Sequence, residues 1–326
     1  VSIDRLAWAL LSRAASGPCQ PLTALVGEVG PSRAALMLQS GDLPVDQDVL
    51  VRGAGGLKAA ARDLEVVEGL GGRLVTPEDD EWPRELLECL PPGSGDVGDV
   101  APLALWVRGD RSLREVTYRA VAVIGARAST AYGNHVATEI AGDLAGSGRT
   151  IVGGAAYGID AAAHRAALAV GGVTVAVLAC GLDRPYPVQH DRLLAEIADT
   201  GLVVTEYPPG VTARKHCFLA RNRLIAALST ATVAVEAGVR SGTASAVRWA
   251  GRFGRPVLAV PGPVTSAASA GCHRFIADGD AELVTCADDV RRAVVEPSWT
   301  HTVEVPAPTP RAPEGGGSMT TSVDVP

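Results

Sequence analysis

VAVIGARASTAYGNHVATEIAGDLAGSGRTIVGGAAYGIDAAAH, residues 121–164, contains the same pattern twice: an aliphatic run of strand length, a glycine turn, and a helical stretch with an alanine-rich face. The runs VAVIG (121–125) and TIVGG (150–154) are apolar throughout instead of alternating, as in a strand covered on both faces. Further runs of this kind follow: TVAVLA (174–179), LVVTE (202–206), TVAVEA (232–237), PVLAVPG (256–262) and ELVT (282–285). Strands alternating with helices predict a doubly wound, mostly parallel α/β sheet. Such a sheet takes its ligand at the carboxyl ends of its strands, so the residues of interest are expected just after each run.

Upstream, RLVT (73–76) and LALWVRG (103–109) are weaker strand candidates that would extend the sheet at one edge. Residues 2–70 instead carry apolar side chains at helical spacing, among them Leu6, Leu10, Leu11, Leu22, Leu25, Val26 and Val29. Within them, LVGEVGPSRAALML (25–38) predicts a turn between helices at Gly27 and Gly30, with Pro31 opening the next helix. The pattern is similar to a helix-hairpin-helix or SAM-type element, whose turn can present amides to a phosphate. Three parts are expected: a small helical domain over 1–72, the α/β core over 73–296, and a tail over 297–326. Pro, Thr, Gly and Ser dominate the tail, which includes GGGS at 315–318 and is expected to be disordered.

Of the 326 residues 47% are hydrophobic and 20% charged, ample for a buried core, while aromatics at 4% leave small aliphatic side chains to fill it. A net charge of −7 excludes a protein that coats nucleic acid over its whole surface, but leaves room for one basic groove. Cys19, Cys89, Cys180, Cys217, Cys272 and Cys286 include no CxxC pair and no zinc-ligand spacing, so reduced, packed thiols and no metal site are expected. Asp4 and Arg5 precede an apolar stretch, 6–11, too short for a signal sequence, and no other stretch is long enough to span a bilayer. The expectation is a cytoplasmic protein.

Four turns carry the candidate chemistry. The first holds Gly125 and Arg127; it is not GxGxxG, and no acidic residue ends the second strand to hold a ribose, which disfavours an NAD site. The second holds Gly153, Gly154 and Gly158 before a predicted helix start at 159 or 160, where free amides could receive an anion. Asp160 and His164 share a face there and are read as a structural network, because no nucleophile or metal-ligand set accompanies them. The third is the most informative. No Asp or Glu occurs from Tyr207 to Val235, while Arg214, Lys215, His216, Arg221 and Arg223 crowd the middle around Phe218. A cationic groove with an aromatic platform suits a single nucleic-acid strand, because charge follows the backbone and a ring stacks on any base. The fourth presents Arg240, Ser241 and Gly242 before a helix start at Thr243, and PGPVTSAASAGCHRFIADG (261–279) adds a last loop of small residues. Several anion-friendly turns on one sheet edge favour an extended polyanion over one small ligand.

The blocks VAVIGAR (121–127), GGAAYGIDAAAHRAAL (153–168), GLDRPYP (181–187), TEYPPG (205–210), FLARNRLIAALS (218–229), AVEAGVRSG (234–242) and PGPVTSAASAGCHRFIADGD (261–280) together resemble the DNA-processing protein A family, also called DprA or Smf, over about residues 74–294. The resemblance implies an extended Rossmann-like core that binds and protects incoming single-stranded DNA. It further implies loading of the recombinase RecA during natural transformation and homologous recombination, a homodimer, and no cofactor or catalytic residue. Carried over residue by residue, the family's Gly-Ser/Thr-Arg turn falls on Gly125, Ala126 and Arg127, keeping the arginine and losing the hydroxyl. Its Ser-Gly pair becomes Gly153 and Gly154, and its arginine before GID becomes Tyr157. The loop lysine is Lys215, with Arg214 beside it; the stacking ring is Phe218; and Arg221, Asn222 and Arg223 match their block outright. The DNA-binding set so implied is completed by Arg240, Ser241 and Gly242. Many members add a C-terminal winged helix, which the residues of the tail are not expected to form. A rival of another class, a LOG-like nucleotide phosphoribohydrolase, would need a glutamate after its PGGxGT turn; the corresponding SGTASAV (241–247) lacks one.

Overall fold

The structure, a computed structural model, describes residues 2–43, 55–90 and 100–294. The tail over 297–326 lies outside the described residues.

Every run read as a strand is one, and the nine strands form a single sheet in the order β1-β2-β6-β5-β4-β3-β7-β8-β9. They are β1 (Gly72–Val75), β2 (Leu105–Arg108), β3 (Ala120–Ile124), β4 (Thr150–Gly153), β5 (Thr174–Leu178), β6 (Leu202–Thr205), β7 (Ala231–Ala234), β8 (Val257–Ala259) and β9 (Glu282–Leu283). β1 and β2 join antiparallel at one edge, and the rest are parallel. β3 lies at the centre, with Val121 opposite Ile151 of β4 on one side and Ala231 of β7 on the other. From β3 the chain winds outward through β4, β5 and β6, then returns to β7 and winds the other way. The switch between β3 and β7 opens the crevice expected of such a sheet at the strands' carboxyl ends.

The strand residues alternate between two apolar layers, as a period of two demands. Ala120, Ala122 and Ile124 of β3 face one layer with Val175 and Val177; Val121 and Val123 face the other with Ile151 and Val233. The covering helices are α1 (Ile3–Ala15), α2 (Gln20–Val29), α3 (Pro31–Ser40), α4 (Gly56–Gly69), α5 (Arg84–Leu87), α6 (Leu113–Thr117), α7 (Ala131–Gly146), α8 (Ile159–Ala169), α9 (Asp191–Thr200), α10 (Lys215–Ala227), α11 (Thr243–Arg252), α12 (Ala270–Ala277) and α13 (Ala287–Ala293). None of the described helices is long and apolar enough to cross a membrane.

Two expectations change. Gly27 lies inside α2, and only Gly30, at φ 80°, makes the turn into Pro31. The N-terminal helices also share a core with the sheet: Trp8, Leu10 and Leu11 of α1 join Leu74, Trp106, Ala176 and Leu178 in one cluster. The Trp106 indole donates to Ser12 Oγ at 3.0 Å inside it, and the boundary expected near residue 72 runs through that core. Four of the six cysteines are buried, Cys89 is half-buried and Cys286 exposed, and none is disulfide-bonded.

Candidate nucleic-acid interface

The loop after β3 is held close to the loop before α8. Ile159 N–H donates to Ala126 O at 3.2 Å. A Cβ on Gly125 would lie 2.6 Å from Ile159 Cγ1, and one on Gly158 would lie 2.2 Å from Ala126 O, at φ +76°. Glycine is therefore required here by close approach, and Arg127 is carried out to the surface beside it. Its guanidinium lies 4.7 Å over the Phe218 ring, whose edge meets Tyr186 at 5.4 Å between centroids. This puts a cation of the first turn on the aromatic face of the third, both at the sheet's carboxyl edge.

Arg214, Lys215 and His216 are exposed beside it at the start of α10. Arg214 is the N-cap, with no side-chain cap bond, and Lys215 is the first helical residue. Positive side chains at the positive end of a helix dipole repel it, and an anion placed there relieves both. Arg240 is exposed at the neighbouring turn, where Gly242 caps α11, again without a side-chain bond.

The other predicted residues are built into the wall of the site. Gly153 and Gly154 are buried. The Gly154 N–H is already spent on Asp160 Oδ2 at 2.8 Å, and a Cβ there would lie 1.6 Å from Arg221 Nη1. These glycines make room for side chains instead of offering amides. Arg221 is 5% exposed and donates from Nη1 to Val177 O at 2.7 Å. Burial pulls its pKa down, against the Asp160 carboxyl and together with the charge of Arg127. It therefore sits beneath Gly154 as part of the wall. Arg223 is fully buried, paired with Glu206 at 2.6 Å and donating to Val100 O at 3.1 Å, beyond reach of a ligand in the crevice. Asn222 Nδ2 donates to Gly242 O at 3.2 Å, tying α10 to the fourth turn. Ser241 Oγ is buried without a partner.

Asp160 and His164 each have structural bonds. Burial raises the Asp160 carboxyl, opposed by Arg221 and by the N–H groups of Gly154, Ala156 and Gly125. His164 Nδ1 lies 2.6 Å from Thr174 Oγ1, whose hydroxyl donates to Ile151 O, so the ring nitrogen is the donor. Burial, with the charges of His190, Arg221 and Arg165, lowers its pKa to about 3 and keeps the imidazole neutral.

One residue escaped the sequence reading. Glu236 is 1% exposed, and its carboxyl accepts the Thr130 N–H at 2.9 Å and the Thr130 hydroxyl at 2.6 Å. It lies so close to the first turn of α7 that a Cβ on Gly133 would be 2.3 Å away. In dinucleotide-binding sheets the terminus of the helix after the first strand receives a pyrophosphate. Here the chain's own acid occupies it, and Asp160 does the same for the loop entering α8. The signal was an acid closing the otherwise apolar run TVAVEA (232–237). What remains for an anion is the side-chain cations around Phe218 and the uncapped starts of α10 and α11.

The profile of the family described as DNA recombination-mediator protein A matches residues 73–295. The chain is 51% identical to the putative DNA processing protein DprA of Mycobacterium tuberculosis over 286 residues, 87% of this chain and 73% of that one. Among solved structures, DNA processing protein A from Streptococcus pneumoniae superposes with a TM-score of 0.69 at 30% identity, over 89% of this chain and 98% of that one. The Helicobacter pylori protein of the same name, described for its unique single-stranded DNA binding mode, gives 0.57 at 30% identity, over 67% and 94%.

Proposed function

The chain belongs to the DNA recombination-mediator protein A family, and from that premise we propose that it grips single-stranded DNA across the β3/β7 crevice. In that role it protects incoming strands and loads RecA on them, in natural transformation and homologous recombination, as a homodimer and without chemistry of its own. The observation that carries the reading is the Arg127 guanidinium on the Phe218 ring, at the mouth of the crevice and beside Lys215. A base can take the place of the guanidinium on the ring, which releases Arg127 to a phosphate. Lys215, Arg214 and Arg240 supply further phosphate contacts and the Gly242 amide completes the rim, with the buried Ser241 Oγ behind it. Gly125, Gly153, Gly154, Arg221, Asn222 and Arg223 fix the geometry.

Titrating labelled single strands and duplex at several salt concentrations tests this reading. The parent should prefer single strands with a steep salt dependence, and Arg127→Ala and Lys215→Ala should each bind more weakly with a shallower slope. Equal, weak binding by all three proteins would overturn the reading. RecA loading is read separately, as faster filament assembly on strands coated by a single-strand binding protein.

A further inference from the structure

We propose that the groove between α7 and α8 continues the single-strand track, with Arg165 as a phosphate ligand outside the crevice. The inference rests on the single-strand reading above.

The groove has a volume of about 600 Å³ and is lined by Arg127, Ser129, Asn134, Thr138 and Arg165 over a floor of Gly158, Ala162, Ala166 and Ala169. In a chain of net charge −7 its lining holds two cations, three neutral hydrogen-bonding side chains and no acid. The sequence places Arg165 there by helical geometry: His164 turns wholly inward, so its neighbour turns out. Arg165 is exposed and has no ion-pair partner among the described residues. Ser129 Oγ donates to Asn134 Oδ1 at 2.6 Å, which leaves the Asn134 amide hydrogens to the groove. The small residues of α8 let an extended chain lie close to the helix.

Arg127 joins the two regions. The same guanidinium that covers Phe218 lines the groove mouth, so a strand stacked on Phe218 has its neighbouring phosphate directed towards Arg165. The track also has an end. Beyond Thr138 the surface between the helices carries Glu139 and Asp143, and its one arginine, Arg291, is paired with Asp288. A polyanion is favoured over the first half of the groove and repelled from the second.

The test is a length series of oligothymidylates bound by the parent, Arg165→Ala, Arg165→Glu, Arg127→Ala and Arg291→Ala, with thermal unfolding of each. Arg165→Ala should lose roughly fivefold in affinity for long strands, and its salt slope should fall by about 0.7. It should lose nothing for strands too short to reach from Phe218, and Arg165→Glu should lose more on the long ones. Arg127→Ala should weaken at every length, and Arg291→Ala should match the parent. Arg165 variants that bind every length as the parent does would overturn the proposal, as would an equal loss at all lengths. If the parent binds and Arg127→Ala is impaired while Arg165→Ala is not, only the groove falls. If the parent binds no single strand, both readings fall together.

Discussion

The two ends of one basic segment behave oppositely. At the start of α10, Arg214, Lys215 and His216 stand in solvent around the half-buried Phe218 ring. Three to five residues further on, Arg221 is 5% exposed and Arg223 wholly enclosed. The separation is about 9 Å of helix between Lys215 and Arg221, over which α10 passes from the crevice rim to beneath the sheet. Among the described residues the outer cations have no carboxylate to satisfy them; the inner ones are held by Val177 O, Val100 O and Glu206. A run of positive charge in a sequence is thus not yet a binding patch. Its outer half can serve a polyanion, and its inner half serves the fold that positions the outer one.

The comparison breaks most visibly at Arg223. Arg223→Ala leaves Glu206 buried without its partner and should cost about 3–5 kcal/mol of stability, read from denaturant unfolding, while the protein that remains folded binds DNA as before. A marked loss of affinity in folded Arg223→Ala would move that residue to the outer class. At the outer end, Phe218→Ala should weaken single-strand binding by ~1–3 kcal/mol with a far smaller change in unfolding midpoint, and Phe218→Trp should retain most of the affinity.

Acid sharpens the inner side of the contrast. The unfolded chain protonates His164 near pH 6.5, whereas the folded chain keeps it neutral down to about 3. The unfolded state therefore binds more protons in that window, and stability falls as the pH drops through it. Between about pH 7.5 and 5.5 this amounts to about 1.4 kcal/mol. Unfolding of His164→Asn against the parent isolates it, since the variant should lose that part of the pH dependence. The smallest effect is expected at Lys215→Ala, about 0.2–1 kcal/mol in binding and a salt slope shallower by about 0.7, with stability unchanged.

The strands were legible because each is a short aliphatic run with the wrong period for a helix, and the crevice followed from strand ends meeting glycine turns. Phe218 and Lys215 were legible as a reversal of charge around a rare ring. The burial of Arg221 and Arg223 was not, because their partners come from elsewhere in the chain: Val100 precedes Arg223 by 123 residues and Val177 precedes Arg221 by 44. Gly153 and Gly154 resembled an anion loop because glycine marks close approach of any kind, and here the approaching groups are His164 and Arg221. Glu206 and Glu236 offered a usable hint. Each lies at the end of an apolar strand run, where a buried acid persists only with a partner to bond it: Arg223 for one, the cap of α7 for the other.

The most direct test of the account is single-strand affinity of the double variant Arg127→Ala/Phe218→Ala against the parent, measured at fixed salt alongside the unfolding midpoint of each. The variant should lose its preference for single strands over duplex and most of its affinity, with its midpoint close to the parent's. Undiminished single-strand binding by the folded double variant would contradict the single-strand reading.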